Sequence, residues 1–177
     1  MWKKKGDDRF SQHLVNSTVK FGGGNIMIWG CMGWKGVGVC VEVEKNLDRF
    51  QYVDILKDAL PESLEILGLD PQDFYFQQDN DPKHTSGHAT DWFVEQGINV
   101  LDWPSQSPDL NPIEHLWILL KRKLNGYSTP AKGAHELWEC VAEEWAEITV
   151  GECQRLIESM PRRVKAVLEA KGGSTKY

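Results

Sequence analysis

The 177-residue sequence is short of the features that mark zinc, redox, membrane or hydrolase proteins. Its four cysteines, Cys31, Cys40, Cys140 and Cys153, show no CxxC spacing and have no histidine pair to complete a ligand set with them. Zinc modules and dithiol redox motifs are therefore excluded, and free, mostly buried thiols in a reducing compartment are expected. No stretch approaches the ~18 uninterrupted apolar residues of a membrane span. Met1-Trp2-Lys3-Lys4-Lys5 leads into polar residues rather than a signal-peptide core, so the chain reads as intracellular, with no membrane partner. Basic charge is in deficit: 20 Lys and Arg against 26 Asp and Glu leave a net −6, which argues against bulk capture of nucleic acid. Ser105 and Ser107 lack the glycines of a nucleophile elbow. Gly22-Gly23-Gly24 precedes a strand rather than joining a strand to a helix, so it makes a poor phosphate cradle. Without repeats, low-complexity segments or linkers, 1–177 reads as a single domain.

What is present is ordinary in bulk and uneven in detail. A hydrophobic content of 41% with 26% charged residues fits a globular chain able to bury a sizeable core. Eight tryptophans suggest large buried anchors, or aromatic surfaces kept for a partner. Residues 133–151 carry five Glu and no Lys or Arg, whereas 152–177 carry six Lys or Arg against three Glu. Solvated acidic and basic helix faces are the first reading of that contrast.

The periodicities give an element order. Residues 1–20 are polar and read as an entry segment rather than a domain. Asn25–Met32 is β-rich, 33–38 reads as a turn, and Val39, Val41 and Val43 alternate with Cys40, Glu42 and Glu44. That alternation predicts a hairpin whose second strand has one buried and one wet face. From an Asp48 N-cap, Phe50, Val53, Leu56, Ala59 and Leu60 recur at helical spacing, with Pro61 expected to kink or restart the helix and Gly68 to end it. Short strands are expected at 73–79 and 98–103, flanking a helix at 86–96. Further helices are expected from Pro112, from Thr129-Pro130, after a Thr149–Glu152 capping box, and from Ser159. The order predicts α/β layers with strands mixed in direction.

The stretch 74–114 concentrates the chemistry. Asp79 ends an apolar strand, where open α/β sheets gather ligands, although Asp79-Asn80-Asp81-Pro82 also reads as a plain turn. Glu114 follows 34 residues later in a first helical turn, where Asn111, Pro112 and Glu114 reproduce capping preferences. Two carboxylates held on rigid elements suit a hard divalent cation, and Mg²⁺-assisted phosphoryl transfer is the chemistry that would need them together. Two acids are a thin supply for two ions. His84, His88 and His115 lack zinc-like spacing and read as structural or solvent-facing.

Two long phrases go further. Phe76-Gln77-Gln78-Asp79-Asn80-Asp81-Pro82-Lys83-His84-Thr85 and Trp103-Pro104-Ser105-Gln106-Ser107-Pro108-Asp109-Leu110-Asn111-Pro112-Ile113-Glu114-His115-Leu116-Trp117 closely resemble the catalytic domain of Tc/mariner DDE transposases. Thr18–Gly24, Trp29-Gly30, Ser159–Arg163 and the final Gly172–Tyr177 extend the likeness over nearly the whole chain. The resemblance implies a ribonuclease-H-like mixed sheet flanked by helices, and Mg²⁺- or Mn²⁺-dependent DNA cleavage and strand transfer. DNA would be the partner, a homo-oligomer is possible in such a family, and the location would be nuclear in a eukaryote. By motif position, Asp79 matches the second catalytic acid and Glu114 the third, both metal-binding.

The likeness also implies what is missing. The family's first catalytic aspartate lies on a central strand upstream of the segment that Trp2-Lys3-Lys4 matches, and its helix-turn-helix DNA-binding region lies further upstream. Asp7 and Asp8 are poor substitutes in their polar surroundings, and Glu42 and Glu44 are expected to face away from the core. The reading is a truncated catalytic domain, lacking the first central strand and inactive alone. The alternatives are a non-catalytic DNA- or protein-binding module and an incomplete gene product without function. Candidate DNA contacts are Lys83, Arg162, Arg163 and Lys165, with Arg155, Lys171 and exposed tryptophans supporting a C-terminal binding surface.

Overall fold

A tight hairpin organises the first half of the chain. The computed structural model describes residues 17–21, 24–44, 46–70, 72–104, 107–173 and 175, with side chains from residue 25 onward. Strand β2 (Gly24–Gly33) turns through Trp34-Lys35 alone into β3 (Gly36–Val43), so the turn is shorter than the expected 33–38. Gly36, at φ 131°, supplies the positive φ that lets the strand resume so early. Strand β1 (Ser17–Phe21) lies antiparallel on the other edge of β2, pairing Ser17 with Ile28 and Phe21 with Gly24. The polar opening segment therefore ends in a strand that its composition hid.

The β2–β3 register shifts between Gly30/Cys40 and Met32/Val37, so Gly38 and Val39 together oppose Cys31. A Cβ at Gly38 would sit 2.6 Å from Ser63 Cβ and Oγ, so only glycine fits the bulge. Its backbone groups find partners on both sides. The Val39 N–H donates to Ser63 Oγ at 3.0 Å, and the Gly38 carbonyl accepts the Trp145 indole N–H at 2.8 Å.

Both faces of the hairpin are covered. Trp29 and Val43, with Val39 and Val41, pack on α1 (Arg49–Leu67) and α2 (Gly87–Glu95). Ile26 and Ile28, with Val37 and Cys40, pack in a second core with α3 (Pro112–Leu124), α4 (Ala134–Ala146) and α5 (Val150–Glu158). The expected wet face of β3 is corrected: Cys40 lies in the second core, and Glu42 is half-buried. Local alternation records side-chain type; the covering helices come from residues a hundred positions away. Gly30 permits their approach, since a Cβ there would lie 2.9 Å from the Trp145 ring, which stacks on Trp117 at 5.1 Å.

Helix α1 starts as expected, with the Asp48 carboxylate accepting from the Phe50 and Gln51 N–H groups, and ends at Gly68 in the left-handed region. Pro61 lies inside it without splitting it. The helix survives because Leu56, Ala59, Leu60, Leu64 and Leu67 keep one buried face across the proline. Helix α4 begins at Ala134 rather than at Thr129-Pro130, after a loop in which the Lys132 N–H donates to Glu136. The capping box at Thr149 and Glu152 is present and opens α5, and α6 (Met160–Glu169) follows from Ser159.

Strands β4 (Tyr75–Phe76) and β5 (Asn99–Val100) form a two-residue parallel pair linked through α2, much shorter than the expected strands. Beyond Phe76, side chains take over from the ladder: Gln77 Nε2 donates to Asn111 Oδ1, and Asn80 Nδ2 to the Trp103 carbonyl. Among the described residues β4–β5 and β1–β2–β3 form separate sheets rather than one mixed sheet. A cavity of about 250 Å³ lies between them, lined by Trp29–Met32 of β2, Leu60 and Leu64 of α1 and the 74–78 segment.

Candidate active site

Asp79 sits just past β4, 5% exposed, at the turn its sequence announced. Its Oδ1 accepts the Asp81 N–H at 3.1 Å, the Asx-type contact that makes a turn. The same oxygen accepts from His84 Nδ1 at 2.6 Å. Oδ2 is buried with no hydrogen-bond partner among the described residues. The turn reading and the site reading both hold, one for each oxygen.

Glu114 enters from the first turn of α3. The Asn111 side chain makes no cap bond; it accepts from Gln77 instead, and Glu114 Oε1 is buried without a partner among the described residues. The capping explanation for Glu114 therefore fails. Burial pushes its carboxyl up from 4.5 to about 7, Lys121 opposes the shift, and the charge of Asp79 adds to it. The two acids thus feel one another, although 34 residues separate them in sequence.

Two orphaned, buried carboxylate oxygens are costly unless something positive meets them. Their chemistry fits a hard divalent cation. Asp79 and Glu114 are the residues that would hold it, and among the described residues no group of three His, Cys, Asp or Glu side chains comes together as a metal site.

The start of α3 is tied from behind by Arg163 of α6. The Arg163 guanidinium, 1% exposed, donates from Nε to Ser159 Oγ at 2.7 Å and from Nη1 to the Asp109 carbonyl at 3.2 Å. Arginine can only donate, so His115 Nδ1, 2.9 Å away, must accept. Burial and the Arg163 charge hold His115 below its ordinary value. Thr175 Oγ1 closes the group by donating to Asp109 Oδ2 at 2.9 Å.

The structure corrects part of the expected DNA surface. Arg163 is an internal tie, not a surface contact for phosphate. Lys83 stands beside the site, but its ammonium pairs with Asp81 at 2.7 Å. Burial pushes the Asp81 carboxyl up, and hydrogen bonds from the Lys83 side chain and backbone outweigh it, leaving a net lowering. Arg162 and Lys165 are exposed on α6, with Lys165 3.8 Å from Glu169. Arg155 and Lys171 are exposed as well. Trp34 is the one exposed tryptophan among the described residues, so most tryptophans are anchors of the two cores. Asp7, Asp8 and Ser105 lie outside the described residues.

Sequence reasoning missed His84, Tyr52 and Gln78. Of the structural and solvent-facing roles expected for His84, burial against Asp79 excludes the second, and the contact with that acid is what local pattern does not show. Gln78 joins the Tyr52 hydroxyl, which donates to its Oε1, to the His84 carbonyl, which accepts from its Nε2 at 3.1 Å. The five-residue interval from Asp79 to His84 was a legible signal, but nothing local showed that the turn would fold the ring back.

Comparison with known proteins adds an independent line. Residues 1–138 match a family described as DDE superfamily endonuclease. The chain is 45% identical over 170 residues to the Tcb1 transposase of Caenorhabditis briggsae and to the Tc1 transposase of Caenorhabditis elegans, covering 96% of this chain and 60% of each relative. The Tc3 transposase of Caenorhabditis elegans is 32% identical over the same length. The chain thus spans about three fifths of the length of the Tcb1 and Tc1 relatives. The catalytic domain of the Mos1 mariner transposase matches with a TM-score of 0.77 at 19% identity, over 91% of this chain and 81% of that one. The same domain solved with Raltegravir and Mg matches at 0.78 and 20%, over 91% and 83%. The Mos1 strand transfer complex matches at 0.74 and 19%, over 98% and 51%. The fold is the ribonuclease-H-like mixed α/β architecture expected from the motifs.

Proposed function

Because the chain belongs to the DDE superfamily endonuclease family, we propose that it is the catalytic portion of a Tc/mariner-type cut-and-paste transposase, acting on DNA through Asp79 and Glu114. One observation carries this reading. Asp79 Oδ2 and Glu114 Oε1 are buried without partners among the described residues, and the Asp79 charge adds to the rise that burial gives the Glu114 carboxyl. Structural carboxylates are normally satisfied; a pair left this way suits a cation that both can share.

The reaction is an in-line displacement at phosphorus. Water attacks first and frees a 3′ hydroxyl at the transposon end; that hydroxyl then attacks a phosphodiester of the target, breaking its P–O3′ bond and releasing the target strand's own 3′ hydroxyl. A bound Mg²⁺ or Mn²⁺ would supply Lewis-acid stabilisation of the charge that develops on the phosphate oxygens. The chain's own part is positional. Asp79 is fixed by its turn, and Glu114 by the first turn of α3 and the Arg163 tie behind it. At neutral pH a proton competes with a cation for the Glu114 carboxylate.

Two carboxylates fall short of the set that clamps two ions. The chain alone is therefore expected to leave supercoiled DNA intact in Mg²⁺ or Mn²⁺. Nicking that is lost in Asp79→Asn or Glu114→Gln would overturn the expected inactivity while supporting the site. The site itself is tested by Mn²⁺ titration followed by electron paramagnetic resonance. Weak binding that falls in both variants is expected, and binding indifferent to both would refute the assignment. The exposed Arg155, Arg162, Lys165 and Lys171 on the α5–α6 side support a DNA- or protein-contact role for that surface. Salt-dependent DNA retention unchanged by Asp79→Asn would favour that second reading over a catalytic one.

A further inference from the structure

We propose that His84 is a positioning residue for Asp79, holding one carboxylate oxygen so that the other is left for a divalent cation. The proposal rests on the reading of Asp79 as a metal-binding acid. A carboxylate can only accept, so Nδ1 of His84 carries the proton in the 2.6 Å contact with Oδ1. Together with the Asp81 N–H at 3.1 Å, this gives Oδ1 two donors while Oδ2 has none among the described residues. Two donors on one oxygen stop the carboxylate from exchanging its oxygens by rotation.

The ring is itself fixed from three directions. It packs on Tyr52 of α1 with centroids 4.2 Å apart, and Gln78 ties the Tyr52 hydroxyl to the His84 main chain. The His84 N–H returns to the Asp81 carbonyl at 2.9 Å. A histidine that served packing alone would gain by satisfying both nitrogens, yet Nε2 is buried without a partner among the described residues. Leaving a buried polar atom unpaired is costly, since the desolvation of that atom goes uncompensated. The fold tolerates that cost and directs the one hydrogen bond that the ring makes among the described residues to Asp79. Partners of this kind typically change metal affinity about 10- to 100-fold when removed.

The asparagine and glutamine variants separate the roles. The amide nitrogen of His84→Asn falls where Nδ1 lies, whereas that of His84→Gln falls nearer Nε2. Mn²⁺ affinity of the whole chain is measured by electron paramagnetic resonance for wild type, Asp79→Asn, His84→Asn and His84→Gln, with folding checked by circular dichroism. His84→Asn is expected to stay within about threefold of wild type, and His84→Gln to lose about tenfold or more. Binding that depends on Asp79 but is unmoved in folded His84→Gln would refute the positioning role alone. Wild-type binding no stronger than that of Asp79→Asn would refute the metal reading and this proposal with it. A metal-free readout stands beside these. Wild type should show an exchange-protected, downfield imidazole proton by NMR that vanishes in Asp79→Ala, and its absence from wild type would also overturn the proposal.

Discussion

Replacing Glu114 by glutamine should stabilise the metal-free protein at pH 8 and change it little at pH 5. The carboxyl titrates near 4.5 when solvated and at about 7 in the fold, chiefly because of burial, with Lys121 opposing and Asp79 adding to the rise. Between those values the native state holds a proton that the unfolded chain has released, so stability falls as pH rises through the window. Each pKa unit corresponds to about 1.4 kcal/mol, which puts the full penalty on the order of 3 kcal/mol above pH 7 and below about 1 kcal/mol at pH 5. Glutamine keeps the shape and removes the ionisation. Urea denaturation at both pH values, in chelator, should therefore show Glu114→Gln gaining about 2–3 kcal/mol at pH 8, and the gain should fade at pH 5. Adding Mn²⁺ at pH 8 should narrow the gap, because a cation on the carboxylate stabilises only the wild type. Mn²⁺ affinity should rise with pH through about 7 as the proton leaves. Equal stability of the two proteins at both pH values would refute the buried-carboxylate reasoning.

Other perturbations test the frame around the site. Gly38→Ala should cost about 1–3 kcal/mol by thermal unfolding, since its Cβ would meet Ser63 and Cys31 Sγ at 2.6–2.7 Å; a neutral result would mean the bulge is not tight. Ser63→Ala should cost about 1–3 kcal/mol by orphaning the Val39 N–H. Arg163→Met should lower the melting temperature, whereas Arg162→Ala combined with Lys165→Ala should leave it unchanged and flatten the salt dependence of DNA retention. The opposite pattern would restore Arg163 as a DNA contact. The stability tied to His115 is present above its ordinary value of 6.5 and is lost as pH falls below it, because protonated Nδ1 cannot accept from Arg163. His115→Asn should flatten that acid limb in a pH series of melting temperatures.

The sequence by itself determined the element order from β2 onward, the Asp48, Gly68 and Thr149 caps and the two phrases that carry Asp79 and Glu114. These are local features, set by hydrogen-bonding groups and apolar periods within a few residues. What local pattern could not decide was decided by contacts across long separations. Helices from the C-terminal half covered the second face of the hairpin, and Ser63 and Trp145 completed the bulge at Gly38 from opposite sides. Arg163, basic and helical, read as a surface residue until Ser159, Asp109 and His115 closed over it. Glu114 had the spacing of a cap, but the Asn111 side chain accepts from Gln77, and Glu114 Oε1 is buried without a partner among the described residues. Local chemistry offered Asp79 and Glu114 a turn and a cap; only packing buries Asp79 Oδ2 and Glu114 Oε1 and leaves them without partners among the described residues.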